Sequence, residues 1–249
     1  SRKMLMAAAG GDTDPTADYN KVSALYHFDG TNGLSNAGFA KDGGTYSGSF
    51  SISGGAPYQS EANPFSRPDG CWSVLFDGSD DYINIPDQTG LTPGTSDFTI
   101  EFWVYFSSAT ANQGLFQLDT TPLSGNTYIG PVLFTGGGSY AGRWATMTKS
   151  GGNQTLYADS SHNPVVGVWY HAALVRNSGT IKLYINGVEA ISFSDSTDYS
   201  DRDSLVIGST YSTTYNMTGY ISNFRYVKGT ALYTSAFTPP TTPLTNITN

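Results

Sequence analysis

Between Gly167 and Phe193 the chain reads GVWYHAALVRNSGTIKLYINGVEAISF, and no other stretch narrows the fold as much. Ile181, Leu183 and Ile185 alternate with Lys182, Tyr184 and Asn186, the period of a strand with one face on a core. Asn186-Gly187 follows at once. That pair most readily takes the two positive φ angles of a type I′ turn, so Val188–Ser192 is expected to run back alongside. Upstream, Trp169–Arg176 is an apolar run too short for a helix and is closed by Asn177, Ser178 and Gly179. The expectation is a three-strand meander.

Strand signals continue on both sides. Asp97–Phe106 puts Phe98, Ile100, Phe102, Val104 and Phe106 on one face and Thr99, Glu101, Trp103 and Tyr105 on the other, as in one layer of a sandwich. Shorter candidates are Val22–Phe28, a weak one near Ser47–Ser53, Trp72–Phe76, Tyr82–Ile85, Gly114–Leu118, Ile129–Phe134, Trp144–Lys149, Thr155–Ala158 and Ser204–Ile207. Thr218–Val227 is the last long strand, and one helical turn is expected within Gly229–Phe237, after which Pro239, Pro240 and Pro243 lead out along a surface. About a dozen short strands with no convincing amphipathic helix argue for an all-β sandwich of two sheets.

Charged residues are only 13% of the chain, and 12 Lys and Arg face 20 Asp and Glu, a formal charge of −8. Without a basic cluster, an acidic chain has no electrostatic reason to bind nucleic acid. Cys71 is the only cysteine, so neither an intrachain disulfide nor a thiolate metal cluster can form. No apolar run approaches the ~20 residues that span a bilayer. Residues 1–20 read as an arm and an acidic linker, with Arg2, Lys3, Met4, Leu5 and Met6 as a docking segment. Residues 21–245 form the β domain and 246–249 a tail.

Several blocks, taken in order, resemble a known family: Leu25–Gly30 (LYHFDG), Leu75–Pro86 (LFDGSDDYINIP), Phe98–Val104 (FTIEFWV), Trp169–Arg176 (WYHAALVR), Ile181–Gly187 (IKLYING), Leu205–Gly208 (LVIG) and Gly219–Val227 (GYISNFRYV). They are similar to the laminin-G-like domains of the concanavalin A-like lectin superfamily, over roughly residues 21–245. The resemblance implies a jelly-roll sandwich of two antiparallel sheets, used mostly for binding. The ending Lys228–Leu244 (KGTALYTSAFTPPTTPL) and the opening Arg2–Gly11 (RKMLMAAAGG) resemble virion proteins of tailed phages, marine ones in particular.

The superfamily includes glycoside hydrolases, whose retaining members carry an E-x-D-x-x-E strand. Here Glu61, Glu101 and Glu189 are isolated, while hydrolysis needs two carboxyls ~5–9.5 Å apart. Glu101 is expected to be a polar strand residue or an arginine partner, and His171 a hydrogen-bonded sheet histidine. No G-x-S-x-G, HExxH or phosphate loop occurs.

No cofactor is expected. Calcium is weighed at two places and predicted at neither. Asp195, Asp198, Asp201 and Asp203 crowd one loop, for which a solvated acidic loop is the favoured account. Asp119 resembles a ligand position of calcium-binding pentraxins, but Ser209, Thr210 and Tyr211 stand where those relatives add acids. Tyr128, Tyr211 and Tyr215 fall in expected loops, where aromatics stack on sugars or cap the ends of a sandwich. With Asp119 they are the candidate ligand-binding residues. Sequons at Asn153, Asn216 and Asn246 matter only in a eukaryotic secretory setting.

The expected function is a non-enzymatic structural protein of a phage particle, a capsid decoration present in multiple symmetric copies. It would dock to other virion proteins through its arm and adhere to cell-surface glycans. The alternative is a tail-tip or tail-fibre module that recognises host polysaccharide.

Overall fold

The computed structural model describes residues 22–26, 28, 51–53, 58–60, 62–65, 72–85, 89–108, 112–119, 132–136, 138–150, 153–159, 163–210 and 215–245. They form a nearly all-β structure. The strands are β1 (Val22–Tyr26), β2 (Ser51–Ser53), β3 (Tyr58–Ser60), β4 (Ser73–Asp77), β5 (Tyr82–Ile85), β6 (Phe98–Phe106), β7 (Gly114–Asp119), β8 (Val132–Thr135) and β9 (Trp144–Ser150). After them come β10 (Asn153–Ala158), β11 (Trp169–Asn177), β12 (Thr180–Ile185), β13 (Val188–Ser194), β14 (Ser204–Ile207), β15 (Ser209–Thr210), β16 (Tyr215–Asn216) and β17 (Thr218–Lys228). Among the described residues the helical elements are 3₁₀ turns at Thr89–Leu91 and Gly138–Tyr140. Among the described residues no helix is long and apolar enough to cross a membrane.

Two large antiparallel sheets result, and β15 pairs with β16 as a separate two-stranded ribbon. One runs β13-β12-β11-β6-β17-β4-β3, with β1 pairing β17 beside this path, and the other runs β10-β9-β8-β7-β14-β5-β2. This is the expected jelly-roll sandwich. The meander is β11-β12-β13, and both of its turns are two residues long with positive φ throughout: Ser178 at 48° and Gly179 at 78°, then Asn186 at 50° and Gly187 at 78°. Those values are the type I′ geometry that matches strand twist.

The core lies between the sheets. Phe98, Ile100, Phe102, Val104 and Phe106 are all buried, as their shared parity on β6 requires. Phe102 stacks on Phe224 at 5.6 Å and meets Phe116 edge-on at 5.9 Å. Trp144, from the second sheet, packs edge-on against Phe106. On β17, Ile221 and Phe224 both reach this core although three residues apart, because the strand bulges: its register to β6 shifts between Ser222 and Arg225, with Asn223 at φ 52°. A bulge adds a residue and swaps which parity faces inward.

The segment after β17 differs from the sequence expectation. It holds no helical turn; residues 229–245 instead cross the outer face of the first sheet as an irregular strap. Thr99 Oγ1 donates to Thr230 O at 3.0 Å and accepts from Leu232 N at 2.9 Å. Tyr233 and Phe237 stack on each other at 3.6 Å, and Phe237 packs edge-on against His171 and Tyr184. Leu244 is buried with Leu25 and Val227. The strap passes so close to the β12–β13 turn that a Cβ on Gly187 would lie 1.8 Å from the Phe237 carbonyl oxygen. Thr99 and Glu101, on the mixed face of β6, are therefore buried.

Candidate functional site

The outer face of the first sheet divides into a sealed half and an open half. In the sealed half, cross-strand pairing sets Glu101 of β6 between Ala173 of β11 and Arg225 of β17. Arg225 donates from Nε (2.9 Å) and Nη2 (2.5 Å) to Oε1. Tyr233 from the strap donates its hydroxyl to Oε2 at 2.9 Å, and His171 Nε2 lies 3.1 Å from the same oxygen. Burial alone would push the Glu101 carboxyl up, but the His171 hydrogen bond and the Arg225 charge outweigh it and hold the group below its ordinary value. Because an ionised carboxylate only accepts, His171 must present an N–H from Nε2, which leaves its buried Nδ1 without a partner. Burial and the neighbouring Glu101 charge push the Tyr233 phenol up. Arg225 also donates to Thr245 O at 2.6 Å, and Asn223 Oδ1 accepts from Leu244 N at 3.0 Å. The cluster thus fastens the strap at both ends.

A glycosidase acid must offer a proton to solvent-borne substrate beside a second carboxyl. Glu101 is 0% exposed, ionised, and saturated with donors, and its cross-strand neighbours are an alanine and an arginine. The arrangement suits structure, not acid catalysis.

In the open half, Tyr105 faces Trp169 across β11 and Tyr220 across β17. The three half-buried rings form a triangle with centroids 5.5, 5.6 and 6.3 Å apart. Gly167, at φ 85°, donates its N–H to Phe106 O at 3.0 Å and brings the preceding loop beside the Tyr105 hydroxyl. On that loop Val165 is 58% exposed, and Val166 and Val168 are 43% exposed. Exposed apolar side chains beside half-buried rings are the composition of a contact surface. Sequence reasoning passed over it, since the rings share a face only once the register of three strands is known.

The residues singled out from sequence fall elsewhere. Asp119 closes β7, where its backbone pairs with Ser204. Tyr215 lies on β16, half-buried, and stacks on Phe134 at 6.5 Å. Tyr128, Tyr211 and the arm Arg2–Met6 are outside the described residues. The four loop aspartates have separate partners. Asp195 is buried beside Arg176, Asp198 accepts from Ser200 N at 2.9 Å, Asp201 pairs with Arg202 at 3.0 Å, and Asp203 accepts from Ser204 Oγ at 3.4 Å. Among the described residues, three carboxylates approach one another only at Asp77, Asp80 and Asp81, on the β4–β5 turn. There Asp81 Oδ2 accepts from Asp77 N and Asp77 Oδ1 from Ser79 N, the hydrogen bonds of a tight Asx-supported turn.

Comparison with known proteins places this geometry. Residues 77–235 match the model of a laminin-G family described as the concanavalin A-like lectin/glucanases superfamily. No curated protein matches the chain. Among solved structures, domain 4 of an extracellular arabinanase from Geobacillus stearothermophilus, in complex with arabinotriose, is similar at a TM-score of 0.57 and 21% identity, over 85% of this chain and 94% of that one. The binding domain of botulinum neurotoxin serotype D is similar at 0.58 and 14% identity, over 87% of this chain and 49% of that one. At such identities the likeness is one of fold. The fold and the family match agree, and the chain belongs to the concanavalin A-like lectin/glucanases superfamily.

Proposed function

We propose that the chain is a non-enzymatic adhesion domain that holds neutral glycans against its open aromatic face, and that it is displayed on the particle of a tailed phage as a decoration protein. One observation carries the first part. On β6 the Glu101 carboxylate is sealed and ionised beneath the strap, while the half-buried rings of Tyr105, Trp169 and Tyr220 gather further along the same face. Aromatic rings present an apolar surface with a polar edge to sugar rings. Two fold relatives support the reading by their own activities, one an arabinanase domain in complex with arabinotriose and the other a toxin binding domain.

The particle assignment rests on the likeness of Arg2–Gly11 and Lys228–Leu244 to virion proteins. On the particle the arm Arg2–Met6 would join the domain to other virion proteins, in many symmetric copies. Immobilised neutral polysaccharides retain the purified domain on this reading, and Trp169→Ala releases it with the fold intact. Undiminished retention of that variant removes the aromatic face from the account. Labelled antibody on intact particles decides the setting. Even decoration of the shell supports the decoration reading, a few copies at the tail tip support a receptor-binding module, and no labelling removes the virion assignment.

A further inference from the structure

The turn that leads into β11 shows apolar side chains to solvent where packing does not require them. Residues 163–170 read NPVVGVWY and carry no charge. Val165, Val166 and Val168 are 58%, 43% and 43% exposed, three of the five large apolar side chains exposed among the described residues. The backbone beneath them is fixed. Val165 N donates to the Tyr170 hydroxyl at 3.0 Å, and Gly167 N donates to Phe106 O at 3.0 Å. With Gly167 at φ 85°, the turn keeps its valines outward. Directly behind them come the half-buried rings of Trp169 and Tyr170, with Tyr105 and Tyr220 packed about Trp169.

Position adds to composition. Val22, the start of β1, pairs with Val227, and Val227 pairs with Thr99. Thr99 lies seven residues from Phe106 along β6, roughly 24 Å at strand rise. The valine turn is therefore at the end of the sandwich away from the start of β1. A domain held from its N-terminal side meets a surface with this end.

The chemistry of the tip limits its partner. Valine has no donor or acceptor with which to read a sugar hydroxyl. A standard protein interface buries about 800 Å² per partner, far more than three half-exposed valines offer. A bilayer demands neither. An apolar tip enters the boundary of headgroups and acyl chains roughly 5–10 Å deep, and Trp and Tyr behind it suit the headgroup level. Charge selects the headgroup. The acidic turn of Asp77, Asp80 and Asp81 lies at the same end, because Asp77 pairs with Thr218, whose carbonyl accepts from Ser107 N at 3.0 Å. With a formal charge of −8 on the whole chain, anionic lipids are repelled.

We propose that the turn of Val165, Val166 and Val168 is a membrane-contact tip that enters the surface of a neutral, zwitterionic bilayer, with Trp169 and Tyr170 at headgroup depth. The contact goes beyond the glycan reading and does not depend on it. Flotation of the native chain with phosphatidylcholine vesicles, with and without phosphatidylserine, is the test. The native chain floats with phosphatidylcholine, gains nothing from phosphatidylserine, and loses tryptophan fluorescence to brominated acyl chains. Val165→Ser, Val166→Ser and Val168→Ser together weaken flotation roughly tenfold or more without moving Tm. Val166→Phe, which adds apolar surface at the turn, strengthens it, again with Tm unchanged. A native chain that does not float, or a triple variant that floats as well as native, overturns the proposal. So does flotation that requires phosphatidylserine. If the native chain stays off the vesicles but sediments as a dimer that the triple variant breaks, the turn is instead a contact between copies. Retention by neutral polysaccharide is measured separately and can survive each of these outcomes, so the two readings fail independently.

Discussion

Replacing Glu101 by Gln tests the sealed cluster with almost no change of shape. The carboxylate has two contacts from Arg225 and one from Tyr233, with His171 at 3.1 Å, all in a site without solvent. Glutamine can keep its oxygen toward Arg225 and offer its NH₂ to Tyr233 or His171, which can turn to accept, but it leaves the Arg225 guanidinium, 8% exposed, uncompensated. Removing one partner of a buried ion pair costs about 3–5 kcal/mol. For a chain of this size each kcal/mol moves Tm by about 2–4 °C, so the variant should melt roughly 6–20 °C below the native chain. The internal control is Lys182→Ala, which deletes the exposed Lys182–Glu189 pair at 2.7 Å and should cost no more than about 1 kcal/mol. Scanning calorimetry and urea unfolding of both variants give the comparison. Equal losses for Glu101→Gln and Lys182→Ala would refute the argument, because the cost is assigned to burial and not to charge pairing as such.

Other expectations follow from the same geometry. The Glu101 carboxyl holds its proton less tightly folded than unfolded. Its contribution is therefore fully present above the ordinary glutamate value near 4.3 and fades as pH falls through the lowered folded value. Urea unfolding across pH 2–6 should show this sensitivity reduced in Glu101→Gln. Gly187→Ala combines a φ of 78° with a collision against the Phe237 carbonyl, so it should cost more than the ~1 kcal/mol of a left-handed alanine and expose Tyr233 and Phe237 to near-ultraviolet circular dichroism. Trp169→Ala removes a half-exposed ring and should weaken neutral glycan binding by roughly 2- to 12-fold, the 0.5–1.5 kcal/mol of one aromatic contact, with Tm within about 2 °C of native.

Much of the scaffold is legible in the residues because its signals are local. Alternation on β6 assigns its inner face, and Asn186-Gly187 specifies its own turn through backbone sterics. The reading of Glu101 as an arginine partner also agrees with the structure. What escapes is non-local. Nothing near Thr99 or Glu101 shows that a segment more than a hundred residues later will cover them, so their burial looks unjustified from β6 alone. The bulge at Asn223 depends on β6 and the returning strap together. Tyr105, Trp169 and Tyr220 become neighbours only through the pairing of three strands. The strap also gives the ending Lys228–Leu244 a physical role: Tyr233, Phe237 and Leu244 close one face of this sheet. These residues of the ending that resembles phage virion proteins are thus accounted for by packing, and labelling of particles is the test of the proposed particle assignment.

The central claim is that this sandwich holds a sugar chain without cutting it. Purified protein incubated with soluble neutral polysaccharides, with retention and newly formed reducing ends measured on the same samples, tests it most directly. Retention with no reducing ends above the protein-free control is the expected result. Reducing ends that accumulate with time and vanish in the folded Glu101→Gln variant would contradict it.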